Sequence, residues 1–386
     1  MSKCPRCFVE LPYDEFTFTE ADPRSTQRDE VASAFRGHHV ELGRVLPISH
    51  QQGAPPTVEY ASAELGAPAV ELCPRCHQAL PPRWRWGRAT CIAMAGARYT
   101  GKTVFIAVMV KLLQRRLEAL GHELEYANSE TQRRYLTEYE KPLFEERRLV
   151  QPTPAARHEE SYQHDPLIFQ IGRWNGIPNY LAIRDVAGED LESAQLAGPT
   201  WEFFAAADAV FFLFDPMRVD EVRDHLTDLV PTDQATGGDP REVLRLVLRL
   251  VCRGQPVLPK LAVILSKFDA LQALRHVPSS QWGQIMAHAG AAFSRDPGLL
   301  PGNMYDEADA LLLHSEVRSL LHRLDAGPAL QNPTDPITGR PYLPQRFFAV
   351  SALGESPQGD QLGASGISPF RCLDPVQWLL SEQQVL

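Results

Sequence analysis

The chain of 386 residues is 44% hydrophobic and 22% charged, enough for one large or two medium domains around a sizeable core. A formal charge of -10 excludes broad, nonspecific attraction to nucleic acid or anionic membrane as its organising feature. A protein partner or a small ligand is the expected associate, with nucleic acid left to a local basic patch. No stretch has the form of a signal peptide and no apolar run approaches the roughly 20 residues that span a bilayer, so a cytoplasmic location is expected.

In chain order, the first signal is a duplicated tetrapeptide, Cys4-Pro5-Arg6-Cys7 and Cys73-Pro74-Arg75-Cys76. In a cytosolic chain, paired CxxC knuckles read as a structural zinc site in which Cys4, Cys7, Cys73 and Cys76 complete a closed tetrahedron with no catalytic position. The 65 residues between the knuckles are more than a usual ribbon carries. Two unrelated turns or a redox CxxC remain open; His77 adjoins the second knuckle and could substitute for a ligand, the simpler reading being a solvated histidine. Residues 1–88 read as a zinc-knuckle module with a long insertion, joined to the rest by Pro81-Pro82-Arg83-Trp84-Arg85-Trp86.

The strand-like run Thr90 to Ala95 then meets the octapeptide Gly96-Ala97-Arg98-Tyr99-Thr100-Gly101-Lys102-Thr103, which fits GxxxxGK[ST]. Apolar residues at helical spacing follow from Val104 to Leu120. A glycine-rich turn between a strand and a helix N-terminus aims backbone N–H groups at phosphate oxygens, aided by the helix dipole. Lys102 reaches the β- and γ-phosphates and Thr103 offers its hydroxyl to Mg2+. The competing reading is a glycine-bearing structural turn.

Further strands are predicted at Leu167 to Gly172, Tyr180 to Arg184, Ala209 to Phe214, Leu261 to Leu265 and Phe347 to Val350. Helices are predicted at Glu130 to Glu146, Pro199 to Ala206, Pro240 to Cys252, Ser279 to Phe293, Asp306 to Leu324 and Asp374 to Gln384. This alternation implies an α/β fold: a three-layer P-loop NTPase sandwich over 89–386 with a mostly parallel sheet, insertions at about 125–165 and 270–346, and ligand groups on the loops after the strand ends.

Three of those loops carry more. Asp185-Val186-Ala187-Gly188 ends one strand, Ser266-Lys267-Phe268-Asp269 follows another, and Ser351-Ala352-Leu353 follows the last. With the phosphate loop, these segments resemble the motifs of the Ras-like (TRAFAC-type) P-loop GTPases in order and place. The resemblance implies that Asp185 holds Mg2+ through water, that the Gly188 N–H meets the γ-phosphate, and that Lys267 and Asp269 stack on and read guanine. It further implies that the Ala352 N–H meets guanine O6 and that a threonine ahead of the second strand, Thr153 by position, binds Mg2+ and the γ-phosphate.

Ser266 stands where the family has Asn, and Glu189 where it often has the glutamine that orients the attacking water. The implied activity is therefore slow or partner-stimulated GTP hydrolysis, with Glu189 beside the water and Arg98 able to supply charge in cis. The zinc knuckles together with Phe214-Asp215-Pro216 are similar to bacterial conflict or defence GTPases, including the double-GTPase type. Alternatives are an ATPase, distinguished by whether Asp269 reads guanine, and a nucleotide-sensing adaptor whose zinc module binds protein or nucleic acid. For the adaptor, Trp84 and Trp86 with Arg75, Arg83, Arg85 and Arg88 offer a stacking surface; the simpler reading is that the tryptophans pack the module onto the core.

Overall fold

The computed structural model describes residues 2–150, 165–192, 198–218, 220, 223–224, 239–252, 257–276, 281–299, 305–323, 343–355, 357, 362–363, 366–383 and 385. Strands β1 (Glu15–Glu20), β2 (Gln27–Arg28), β3 (Glu41–Leu42), β4 (Val45–Ser49) and β5 (Ala69–Leu72) precede β6 (Arg88–Ala95), which feeds the phosphate loop. After it come β7 (Glu125–Tyr126), β8 (Leu167–Trp174), β9 (Ile177–Arg184), β10 (Ala209–Phe214), β11 (Lys260–Leu265) and β12 (Gln345–Ala349).

Seven strands form one sheet in the order β12-β11-β10-β6-β9-β8-β7. The five from β12 to β9 are parallel neighbours, which places every loop after their C-terminal ends along one edge. β8 runs antiparallel to β9. The reason is local: Asn175 (φ 54) and Gly176 (φ 78) are both left-handed, as a two-residue hairpin turn requires, and Asn-Gly adopts that pair at little cost.

Alternation along β6 sorts its side chains between two cores. Cys91, Ala93 and Ala95 join the cluster containing Val243, Val247, Leu313 and Val317 from the helices Pro240–Val251 and Glu307–Arg323. Ile92 and Met94 join Phe105, Met109, Leu113 and Leu379 from the helices Lys102–Ala119 and Asp374–Glu382. Both faces are thus covered, as buried parallel strands require.

The six strands expected from 90 onward are present. The helix expected at Glu130 to Glu146 begins as Ser129–Arg134, capped by Asn128, and continues to Glu145 with π-helical turns around Pro142, which lacks a backbone donor. The helix expected at Ser279 to Phe293 is shorter: within the described residues it spans Gln281–Met286, and a separate 3-10 turn forms at Ala292–Ser294.

The insertion between the knuckles folds as an antiparallel sheet, β4-β1-β5, with the β2–β3 pair and helices Glu30–Arg36 and Val58–Leu65. Phe16, Phe18, Ala61, Leu65 and Ala69 form its own small core. The knuckles belong elsewhere: Cys4, Cys7, Phe8, Cys73, Cys76 and Trp84 lie in the same cluster as one face of the main sheet.

Candidate nucleotide and metal sites

The phosphate loop leaves β6 at Gly96 with φ 144; a Cβ there would lie 2.6 Å from the Leu213 carbonyl oxygen of the neighbouring strand, so only glycine fits. Tyr99 and Gly101 are also left-handed, at φ 63 and 86. Successive left- and right-handed residues turn backbone N–H groups inward into an anion-binding concavity. The Thr100 hydroxyl donates to the Ala97 carbonyl at 2.9 Å, and the buried Lys102 ammonium donates to the carbonyls of Gly96 (2.8 Å) and Ala97 (3.1 Å). Thr103 follows on the first turn of the helix Lys102–Ala119.

Asp185-Val186-Ala187-Gly188 leaves β9 directly beside this loop. A Cβ on Gly188 would lie 2.2 Å from the Arg98 nitrogen and 2.6 Å from the Ala97 carbonyl carbon, so the two segments touch backbone to backbone. Asp185 is buried, and its charge adds to burial in raising the Tyr139 phenol. Glu189 and Arg98 meet at 2.6 Å, with the guanidinium 4.7 Å from the Tyr99 ring. The two groups expected to orient water and to supply cationic charge are therefore paired with each other. Thr153 lies outside the described residues.

At the other end of the sheet edge, Ser266 is tied to β10 through its N–H (2.9 Å) and hydroxyl (3.2 Å), both donated to the Phe214 carbonyl. Lys267 is left-handed at φ 53 and its ammonium pairs with Asp215 at 2.6 Å. Phe268 donates its N–H to the Val350 carbonyl. The Ser351 hydroxyl donates to Asp269 at 2.6 Å and accepts from the Gly354 N–H at 2.9 Å. Two motifs 82 positions apart are thereby brought together, with Ala352 and Leu353 on the turn between Ser351 and Gly354.

The two knuckles repeat one geometry. Phe8 and His77 are each left-handed and each donate to the carbonyl four residues back, of Cys4 and Cys73. The four sulfurs lie within 4.8 Å of one another, with Cys4 to Cys76 at 3.6 Å and Cys7 to Cys73 at 3.8 Å. A tetrahedron with metal–sulfur bonds of about 2.3 Å has edges of about 3.8 Å, so these residues fit a thiophilic divalent ion. Burial drives the Cys4 thiol up, whereas hydrogen bonds from Cys4, Cys7 and Cys73 hold Cys76 low. His77 instead meets Asp29 at 2.8 Å.

Two arginines join this cluster to the nucleotide end. Arg6, within the first knuckle, is 1% exposed and pairs with Asp165 at 2.7 Å. Arg184, the residue before Asp185, is 2% exposed; it donates to the carbonyls of Arg6 (3.0 Å) and Thr200 (3.3 Å) and stacks 3.8 Å from the Phe203 ring. Burial, with Arg6 adding to it, lowers the Arg184 pKa. Neither arginine was singled out by sequence reasoning; for Arg184 the available signal was a cation closing the apolar run Leu181-Ala182-Ile183.

Trp84 is fully buried, 4.5 Å from the Tyr180 ring, and donates to the Lys3 carbonyl at 2.7 Å. It packs the module onto the sheet. Trp86 is 66% exposed. Arg75 pairs with Glu202, Arg85 with Glu71, and Arg88 donates to the Gln383 carbonyl, so three of the four arginines considered for nucleic acid bind the chain itself.

The double-GTPase 2 family profile matches residues 90–297. A protein of Mycolicibacterium smegmatis with the provisional name ESX-1 scaffolding and assembly protein SaeC is 49% identical over 391 residues, covering 100% of each chain. The GTP-bound Ski7 GTPase-like domain of S. cerevisiae aligns at 10% identity and a TM-score of 0.32, over 77% of this chain and 50% of that one.

Proposed function

The chain belongs to the double-GTPase 2 family, and from that premise we propose that it is a Mg2+-dependent guanine-nucleotide switch that scaffolds a protein assembly. One observation carries the guanine reading: Asp269 is held by the Ser351 hydroxyl at the same sheet edge as the phosphate loop. A fixed carboxylate there accepts from guanine N1–H and its exocyclic amine, whereas adenine offers it an acceptor and is repelled. Thr103 and Asp185 are the residues that would hold Mg2+, whose charge offsets that of the phosphates.

Gly188 against Ala97 and Arg98 supports the switch. A γ-phosphate bound in the loop adjoins the segment that starts at Asp185, so nucleotide state biases that segment. Hydrolysis is slow in isolation, because Glu189 is engaged with Arg98 and must leave it to face a water. The four cysteines would hold zinc as a structural ion that fixes residues 4–8 to the main sheet. The name of the 49% identical relative favours assembly of a secretion complex over a defence system as the process served.

The test is binding and turnover by the purified chain, with GTP and ATP in parallel and Lys102→Ala as control. Saturable GTP binding that Lys102→Ala abolishes, and that ATP does not compete, is the expected result. Equal binding of ATP, or GTP binding unchanged in Asp269→Ala, overturns the guanine reading. Phosphate release faster than about 1 per second without a partner overturns the slow-hydrolysis reading.

A further inference from the structure

Asp215 is the residue at this edge for which the preceding roles leave no use. It follows β10, the strand between the phosphate-loop strand and the base-reading strand: Phe212 is level with Ala95, and Phe214 with Leu265. Its side chain is 4% exposed while that of its partner Lys267 is 47% exposed. One oxygen accepts from the Lys267 ammonium at 2.6 Å and has the Arg218 Nε at 3.9 Å; the other accepts from the Met217 N–H at 3.0 Å.

This asymmetry has a physical meaning. A half-exposed lysine on a flexible four-carbon stem loses rotamer freedom when it is laid along a ligand. A buried carboxylate that grips the ammonium before the ligand arrives removes much of that loss, and the left-handed backbone at Lys267 fixes where the stem starts. The carboxylate tolerates its burial because it is charge-paired and hydrogen-bonded on both oxygens.

We propose that Asp215 is a positioning residue for the purine: through the Lys267 ammonium it holds the lysine stem against the face of a guanine base read by Asp269. The proposal rests on the guanine reading above. The bland role for Asp215, capping the turn Pro216–Arg218 through the Met217 N–H, is retained by asparagine, which keeps that acceptor and removes only the charge.

The experiment is a double-mutant cycle on binding of a fluorescent GDP, using Asp215→Asn, Lys267→Met and the double variant, with circular dichroism as the folding check. Asp215→Asn is expected to weaken binding about three- to tenfold, the scale of ordering one long side chain. In the Lys267→Met background the same change is expected to have no further effect. Equal losses in both backgrounds, or no loss in either, overturn the positioning role. Should Asp215→Asn not fold, Asp215→Glu serves the same cycle, because it keeps the charge and moves it by one methylene. Wild-type and Lys102→Ala binding separate the two levels: no saturable binding by the wild type sinks the guanine reading and this proposal together. Wild-type binding without coupling sinks the proposal alone.

Discussion

Replacing Gly188 by alanine isolates the contact between the phosphate loop and the segment after β9. Gly188 does not require a left-handed backbone, so the added methyl acts by bulk alone. It would sit 2.2 Å from the Arg98 nitrogen, against ordinary contact beginning near 3.4 Å, so something must move by roughly 1.2 Å. The loop is the stiffer side: Gly96 is pressed on Leu213, Thr100 is tied to Ala97, and Lys102 bridges two carbonyls. The displacement therefore falls on residues 185–188, which the proposed site sets beside the γ-phosphate, while the groups proposed for the other phosphates stay. Losing the hydrogen bond from the Gly188 N–H to a charged phosphate oxygen costs about 1.5–3 kcal/mol, on the order of ten- to a hundredfold in affinity. Gly188→Ala should lower GTP affinity by about that factor and GDP affinity by only a few-fold, with the circular dichroism spectrum unchanged. Titration with fluorescent GTP and GDP reads both constants. GTP affinity within twofold of wild type would refute the contact as the route by which the γ-phosphate is sensed.

Arg98→Ala should weaken GTP binding more than GDP binding, because it removes the cation that meets Glu189 where the proposed site would put the most anionic end of the nucleotide; equal losses for both would refute this. Trp84→Ala removes a fully buried ring and the hydrogen bond to Lys3, and should lower unfolding stability by about 3–5 kcal/mol in a denaturant titration. Cys76→Ala should reduce bound zinc from one equivalent per chain to well below one by elemental analysis and lower the melting temperature; zinc content unchanged would remove the metal site. Burial pushes the Asp374 carboxyl up to about 6 in spite of the Arg371 guanidinium beside it. The folded chain thus holds that proton more tightly than the unfolded one, whose carboxyl titrates near 3.9. The resulting stability is fully present below about pH 4 and is lost as pH rises through about 6. Asp374→Asn should cancel this component, so that the melting-temperature difference between pH 4.5 and 7.5 changes relative to wild type in that sense.

The parallel strands from β6 onward were legible because each carries an apolar run such as Ala209–Phe214, which strands covered on both faces must have; the two-residue β7 (Glu125–Tyr126) has no such run and was not expected. The phosphate loop was legible because close backbone approach and left-handed turns admit few residues besides glycine. The antiparallel step at β8 was written in the sequence as Asn175-Gly176 and was passed over. The five module strands were hidden because four of them have only two to five residues, and the longest, Glu15–Glu20, interleaves its two phenylalanines with threonine and glutamate. At the site, Asp269 and Ser351 could each be named from motif order, but the hydrogen bond joining them follows from the adjacency of β11 and β12. Arg184 escaped notice because a single charge closing an apolar strand looks like the end of the strand, and Asp215 was noted only within Phe214-Asp215-Pro216, with no side-chain role. What each of them holds comes from residues 178 and 52 positions away.

Those long reaches also set an order of events during synthesis. Cys4 and Cys7 leave the ribosome well before their partners, which are 72 and 66 residues downstream; Arg184 meets Arg6 from 178 residues away, and Lys3 pairs with Asp208 across 205. At roughly 5–20 residues per second, the interval between Cys76 and Asp208 lasts about 7–26 s. Through that interval the nascent segment has its four thiols but not the surface that buries them. The vulnerability of these thiols to oxidants is therefore concentrated in the chain's own translation, and, if the proposed zinc site holds, a shortage of zinc would act on newly made copies before finished ones.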